Sequence, residues 1–259
     1  MTQEPMQEHS VSLMIFDISG YTRFMVSQKN SLIHAQLIIS ALMQSLIDEV
    51  QLPFKIAKLE GDAIFLYADT ESNPGAWAEF VNTMPTRLQR FFDLFSEKLS
   101  SIFSTNLCSC DVCSNIESLR LKLVCHIGRA VVYKIGRFYE LAGVDVILVH
   151  RLLKNSIDSK EYILFSQAAF NLLAQADQTG YVESEEDCEG LGKVKVFYKI
   201  MQHSSTHEHN HEHKPKQQPH SSGQKKLFPG IFNTGLLMLK TLLIRLGVKT
   251  VTPLKNISD

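Results

Sequence analysis

Cysteine is scarce: five residues in 259 are too few for a disulfide scaffold, and three of them crowd into CSCDVC (Cys108, Cys110, Cys113). Glycine (13) and proline (8) are too few for a fibrous chain, and neither sign of charge dominates. With 26 Lys+Arg against 27 Asp+Glu the formal charge is −1, so the whole chain offers no electrostatic reason to bind nucleic acid. The opening MTQEPMQEHS has no basic stretch followed by an apolar one, so a secretory signal is not expected and the body is expected in the cytoplasm. Nor is there an uninterrupted apolar run of the roughly 20 residues a spanning helix needs. The nearest approach, LFPGIFNTGLLMLKTLLIRLG (227–247), is broken by Lys240 and Arg245.

What is present is the balance of a folded globular protein, 44% hydrophobic and 20% charged. The length suits one large domain with appendages or two small ones. Charge is uneven along the chain. From Lys214 onward there are eight Lys or Arg against Asp259, a charge of +7, which leaves −8 on residues 1–213.

Hydropathy patterning places the elements. VSLMIFDI (11–18) is a short apolar run ended by Ser19-Gly20, which predicts a buried strand with Asp17 near its end. Residues 31–50 have helical spacing, with Pro53 following as a stop. FKIAKLEGDAIFLYA (54–68) predicts two antiparallel strands around a Glu60-Gly61-Asp62 turn. Residues 75–104 predict a long helix whose aromatic face (Trp77, Phe80, Phe91, Phe92, Phe95) belongs to the core. Beyond it, 118–128 and 129–136 read as a strand pair, 144–155 as a helix, 162–165 as a strand, 167–175 as a helix and 193–200 as a closing strand. The sum is an α+β fold, a mixed sheet with helices. The polar, His- and Pro-rich stretch after Met201 reads as a flexible linker. The expected division is a domain over 9–202, a linker over 203–226 and an apolar helix over 227–254.

Asp17 at a strand end and Asp62 on a hairpin turn can meet at one end of a sheet. Two carboxylates suit Mg²⁺ or Mn²⁺ when a substrate phosphate supplies the remaining oxygens, which implies a nucleoside triphosphate. Each residue also has a plainer role, Asp17 as a cap for the next helix and Asp62 as a turn former.

Four motifs in one order carry more: F-D-I-S-G-Y-T (16–22), K-L-E-G-D (58–62), H-I-G (126–128) and Y-E-L-A-G-x-D-V-x-x-x-x-R-L (139–152). Over about residues 11–201 the chain resembles class III nucleotidyl cyclases, in an uncharacterised bacterial branch. The resemblance implies a ferredoxin-like βαββαβ core and a homodimer with active sites shared between antiparallel subunits. It implies two metal ions, Mg²⁺ or Mn²⁺, held by Asp17, Asp62 and the Ile18 carbonyl. Lys58 and Glu140 would read the adenine of ATP, with the turn glycines Gly20 and Gly61 in the substrate-binding set, and Arg151 would stabilise charge developing at the α-phosphate. The product would be cyclic AMP with release of pyrophosphate. Two readings stand beside this one: a catalytically silent nucleotide-binding regulator, and a cyclase for another nucleotide.

The chain departs from the family pattern where an asparagine four residues before the arginine is replaced by Ile147, and where a triphosphate-contacting lysine falls on Glu189. His150 and Asp145 are the nearby polar groups that could substitute. Cys108, Cys110 and Cys113 with Cys125 could hold a structural Zn²⁺ tetrahedrally, or remain free thiols or a redox pair. HEHNHEH (207–213) is a loose metal-binding tract or a solvated one. The terminal apolar segment with its basic flank suits an interfacial helix on an anionic inner membrane face, or a helix docked on the body or its dimer partner.

Overall fold

The computed structural model describes residues 6–26, 32–105 and 115–201. The chain divides into two compact units, Met1–Ser204 and Ser205–Asp259, and the described residues all belong to the first. The linker and apolar helix expected over 203–226 and 227–254 lie outside the described residues, as do HEHNHEH and Cys108, Cys110 and Cys113.

The first strand, β1 (Gln7–Ser19), is longer than its apolar run and feeds two helices, α1 (Tyr21–Val26) and α2 (Leu32–Glu49). A hairpin follows, β2 (Lys55–Glu60) and β3 (Ala63–Asp69), then the long α3 (Pro74–Thr105). Next come β4 (Arg120–Ile135), β5 (Phe138–Ala142), α4 (Val144–Leu152), β6 (Tyr162–Ser166), the short α5 (Gln167–Phe170), β7 (Val182–Cys188) and β8 (Gly192–Ile200). Strand order is β2-β3-β1-β4-β6-β8-β7, with β5 pairing on β4. The β4–β6 pair is parallel and the other pairs are antiparallel. The order β2-β3-β1-β4 is that of a ferredoxin-like βαββαβ unit, as the cyclase resemblance implied.

Both faces of β1 are covered over residues 11–16, which explains why that stretch is apolar apart from the buried Ser12. Met14, Phe16 and Ile18 face α2 and α3, where Phe80, Phe91, Phe92 and Phe95 form the core the aromatic spacing predicted. Val11, Leu13 and Ile15 face the other side, where α4 contributes Val149 and Leu152. The period-2 alternation therefore places Asp17 on the α4 side, beyond Leu13 and Ile15.

Three expectations need correction. Residues 118–128 and 129–136 are not a strand pair: β4 runs continuously through Gly128, which keeps ordinary strand dihedrals and lies against Asp145 instead of turning. The hairpin partner of β4 is β5, closed at Gly136, which adopts φ +60°. The helix predicted over 167–175 stops at Phe170, and β7, an acidic strand (VESEEDC) with only Glu186 and Cys188 buried, had no apolar alternation to announce it.

Candidate active site

Asp17 and Asp62 arrive together because β1 and β3 pair in register. Asp17 stands opposite Ala63, the residue after Asp62, and the Ile18 amide donates to the Asp62 carbonyl at 3.3 Å. Gly61 turns the hairpin with φ +67° and Gly20 turns the chain out of β1 with φ +88°. A Cβ on Gly20 would lie 3.1 Å from the Ser118 carbonyl oxygen, so that position is closed by backbone as well as by dihedral.

The two carboxylates repel. Burial, and after it the charge of Asp17, pushes the Asp62 carboxyl up from 3.8 to about 6, against the opposing pull of its own backbone hydrogen bond and of Lys122. Lys122 is a residue the sequence motifs did not single out. It stands opposite Asp17 in the β1–β4 register, and its Nζ lies 2.8 Å from Asp17 Oδ2 with both side chains mostly buried. An ammonium on one carboxylate and a raised carboxyl on the other mark a place short of positive charge, which two hard oxygen donors would present to Mg²⁺ or Mn²⁺. The donor set therefore fits the expected ions. Among the described residues there is no group of three or more His, Cys, Asp or Glu that could hold a metal.

The second predicted pair also forms. Lys58 on β2 and Glu140 on β5 come within 3.9 Å (Nζ to Oε2), the lysine exposed and the glutamate partly so. Arg151, near the end of α4, is ion-paired to Glu189 in the β7–β8 turn and to neither of the predicted pairs. Glu189, placed by motif alignment where a phosphate-binding lysine would fall, thus has its carboxylate on the arginine. The structure brings the predicted residues together as an acidic pair, Asp17 and Asp62, and a Lys58–Glu140 pair within one chain.

The two expected substitutes for the lost asparagine are both engaged. Asp145, in the first turn of α4, points inward: its Oδ1 is 2.9 Å from His126 Nε2, and its Oδ2 accepts from the Arg129 amide at 2.7 Å. His150 donates from Nδ1 to the Val146 carbonyl at 2.8 Å, has Nε2 3.4 Å from Glu60 Oε2, and sets its ring edge-on against Phe65. Ile147 is 51% exposed, so it is no core residue of α4. Cys125 is buried in the core of β4, where burial pushes its thiol well above the usual range and disfavours a thiolate. No helix among the described residues is long and apolar enough to cross a membrane.

Lys122 alternates with apolar neighbours in RLKLVCHIG, a pattern that also describes a solvated strand face. Only its pairing partner reveals its role, and sequence spacing carries no trace of that pairing.

Comparison with known proteins supplies relatives and a fold. Residues 39–162 match the model of a family described as protein of unknown function (DUF2652). The uncharacterized protein Rv2561/Rv2562 of Mycobacterium tuberculosis is 32% identical over 160 residues, covering 62% of this chain and 72% of that protein. Among solved structures, the adenylyl cyclase CyaB from P. aeruginosa superposes with a TM-score of 0.58 at 14% identity, covering 78% of this chain and 98% of CyaB. The guanylate cyclase domain of RhGC from Catenaria anguillulae, solved in complex with GTP, gives 0.52 at 15% identity, covering 74% and 97%. The fold is that of adenylyl and guanylyl cyclase domains.

Proposed function

The chain belongs to the same family as the mycobacterial protein Rv2561/Rv2562, and we propose that it is a nucleotidyl cyclase converting ATP to cyclic AMP and pyrophosphate. The observation that carries the reading is the Asp17–Asp62 pair, short of positive charge, at the end of β1 in a cyclase-type fold. Asp17, Asp62 and the Ile18 carbonyl would hold the ions. Two bound Mg²⁺ or Mn²⁺ would supply activation of the ribose 3′-oxygen and neutralisation of phosphate charge.

The chain's own groups account for the rest. Lys58 can donate to a ring nitrogen of adenine while Glu140 accepts from its exocyclic amine, and the exposure of both leaves them open to a base. Arg151, released from Glu189, would face the α-phosphate as the 3′-oxygen attacks it; the bond from that phosphorus to the pyrophosphate oxygen breaks and the 3′-hydroxyl proton passes to solvent. The acidic pair of one protomer would serve the base-reading pair and Arg151 of its partner in a homodimer. Ile56 and Leu59 on β2, Phe138 and Tyr139 on β5, and Val144 and Ile147 on α4 are exposed apolar side chains available to such a contact.

A second reading, a silent nucleotide-binding regulator, is favoured by Arg151 being held by Glu189 and by Ile147 in place of an amide. One experiment separates them: chromatographic product analysis of purified protein with ATP, GTP, CTP or UTP and Mn²⁺, beside Asp17→Ala. Cyclic AMP from the wild type and none from the variant supports the adenylate cyclase. A different cyclic nucleotide reassigns the base, and metal-dependent ATP binding without product selects the regulator.

A further inference from the structure

Buried His126 and Ser166 and the partly exposed Asp145 form a chain of polar contacts that the cyclase reading leaves without a role. His126 lies on β4 at 5% exposure, with Nδ1 2.7 Å from Ser166 Oγ and Nε2 2.9 Å from Asp145 Oδ1. Ser166 closes β6 and caps α5, its Oγ accepting from the Ala169 amide at 3.4 Å. Asp145 opens α4, whose N-cap, Gly143, supplies no side-chain bond. One imidazole thus ties the first turn of α4 to the start of α5 across two parallel strands.

Donors and acceptors balance in one arrangement. The Ser166 hydroxyl, whose oxygen accepts from the Ala169 amide, can give its hydrogen to His126 Nδ1. Nε2–H then donates to Asp145 Oδ1, and Asp145 Oδ2 takes the Arg129 amide. In this arrangement each ring nitrogen of His126 and each carboxylate oxygen of Asp145 has a partner. Gly128 is what lets Asp145 come this close: a Cβ there would sit 2.2 Å from the carboxyl carbon of Asp145. The H-I-G and G-x-D motifs are therefore two halves of one contact.

The geometry points to His126 and Asp145 as positioning residues that set the placement of α4, and through it of Arg151 six residues along the same helix. Neither would touch substrate. This rests on the cyclase reading for its effect on rate, though not for the contact itself. Because small displacements of a charge-stabilising group can cost on the order of 10- to 100-fold in rate, loss of the tie should lower kcat by about that range.

The test compares His126→Leu, which removes both contacts, with His126→Gln, whose amide can still donate to Asp145, and with Asp145→Asn. Turnover is expressed per ATP site, with sites counted by calorimetric titration of Mn²⁺–ATP, so that misfolded protein is not read as slow enzyme. The expected result is a kcat about 10- to 100-fold lower for His126→Leu with KM within about twofold, and recovery of most of the rate in His126→Gln. In wild type, ¹⁵N imidazole NMR should find His126 protonated on Nε2, and Asp145→Asn should shift the proton toward Nδ1. Equal kcat in all variants, or equal losses in His126→Leu and His126→Gln, overturns the proposal. If wild type makes no cyclic nucleotide, the cyclase reading fails by itself, and amide exchange over 144–152 decides the positioning claim. Faster exchange in His126→Leu that His126→Gln reverses supports it, and exchange unchanged in both refutes it.

Discussion

Replacing Asp62 by asparagine should make the metal-free protein more stable at neutral pH, although the residue lies at the centre of the candidate site. The carboxyl is raised from 3.8 to about 6 in the folded state, by burial first and by Asp17 next. A folded chain that holds this proton more tightly than the unfolded chain loses stability as pH rises from 3.8 through about 6, and the loss is complete above that. The interval from 3.8 to about 6 corresponds to ~3 kcal/mol. Solvent reaches much of the half-buried side chain, and screening reduces the working figure to about 1.5 kcal/mol. Asparagine carries no charge at any pH and should remove this loss. Urea unfolding of wild type and Asp62→Asn without divalent ions, at pH 3.5 and pH 7, measures it as a difference in which titrating groups remote from Asp62 cancel. The variant should gain about 1.5 kcal/mol on wild type between the two pH values, and Mn²⁺ at pH 7 should stabilise wild type more than the variant. A variant with the wild-type pH dependence, or one destabilised further at pH 7 than at pH 3.5, would refute the account of two crowded carboxylates.

Lys122→Met should destabilise the metal-free protein by about 2–4 kcal/mol, because it leaves Asp17 mostly buried without its ammonium, and Mn²⁺ should restore part of the loss in a thermal melt. Gly128→Ala should cost about 1–3 kcal/mol in chemical unfolding through its collision with Asp145, and Gly136→Ala, with open space around its Cβ but φ +60°, should cost about 1 kcal/mol. Glu189→Gln should free Arg151 and raise kcat/KM for ATP by up to about fivefold, the value of an exposed ion pair; no change in product formation would remove Glu189 as a restraint. Lys58→Glu should lower ATP turnover at least tenfold relative to GTP, since a carboxylate cannot donate to the adenine ring; an unchanged ratio in the product assay would clear Lys58 of base choice.

The amino-acid sequence alone determines the local events. The apolar run ending at Ser19-Gly20 stops a strand just after Asp17, Gly61 makes a turn that presents Asp62, and the aromatic spacing of 75–104 builds one buried helix face. Each depends on dihedral preference or on periodicity within a few residues, and both are written in neighbouring letters. Ordered motifs extended that reading to Lys58 and Glu140, which lie 82 positions apart yet stand 3.9 Å from each other. Tertiary structure decided what depends on register between distant strands. It placed Lys122 on Asp17, gave Arg151 to Glu189, ran β4 straight through Gly128, and set Asp145 against His126. A strand face carries no mark of which charge will stand opposite it, and a glycine in a strand looks the same whether it makes a turn or makes room for a carboxylate. Those choices arise only when the sheet closes, because they are set by packing and desolvation between residues the chain keeps far apart.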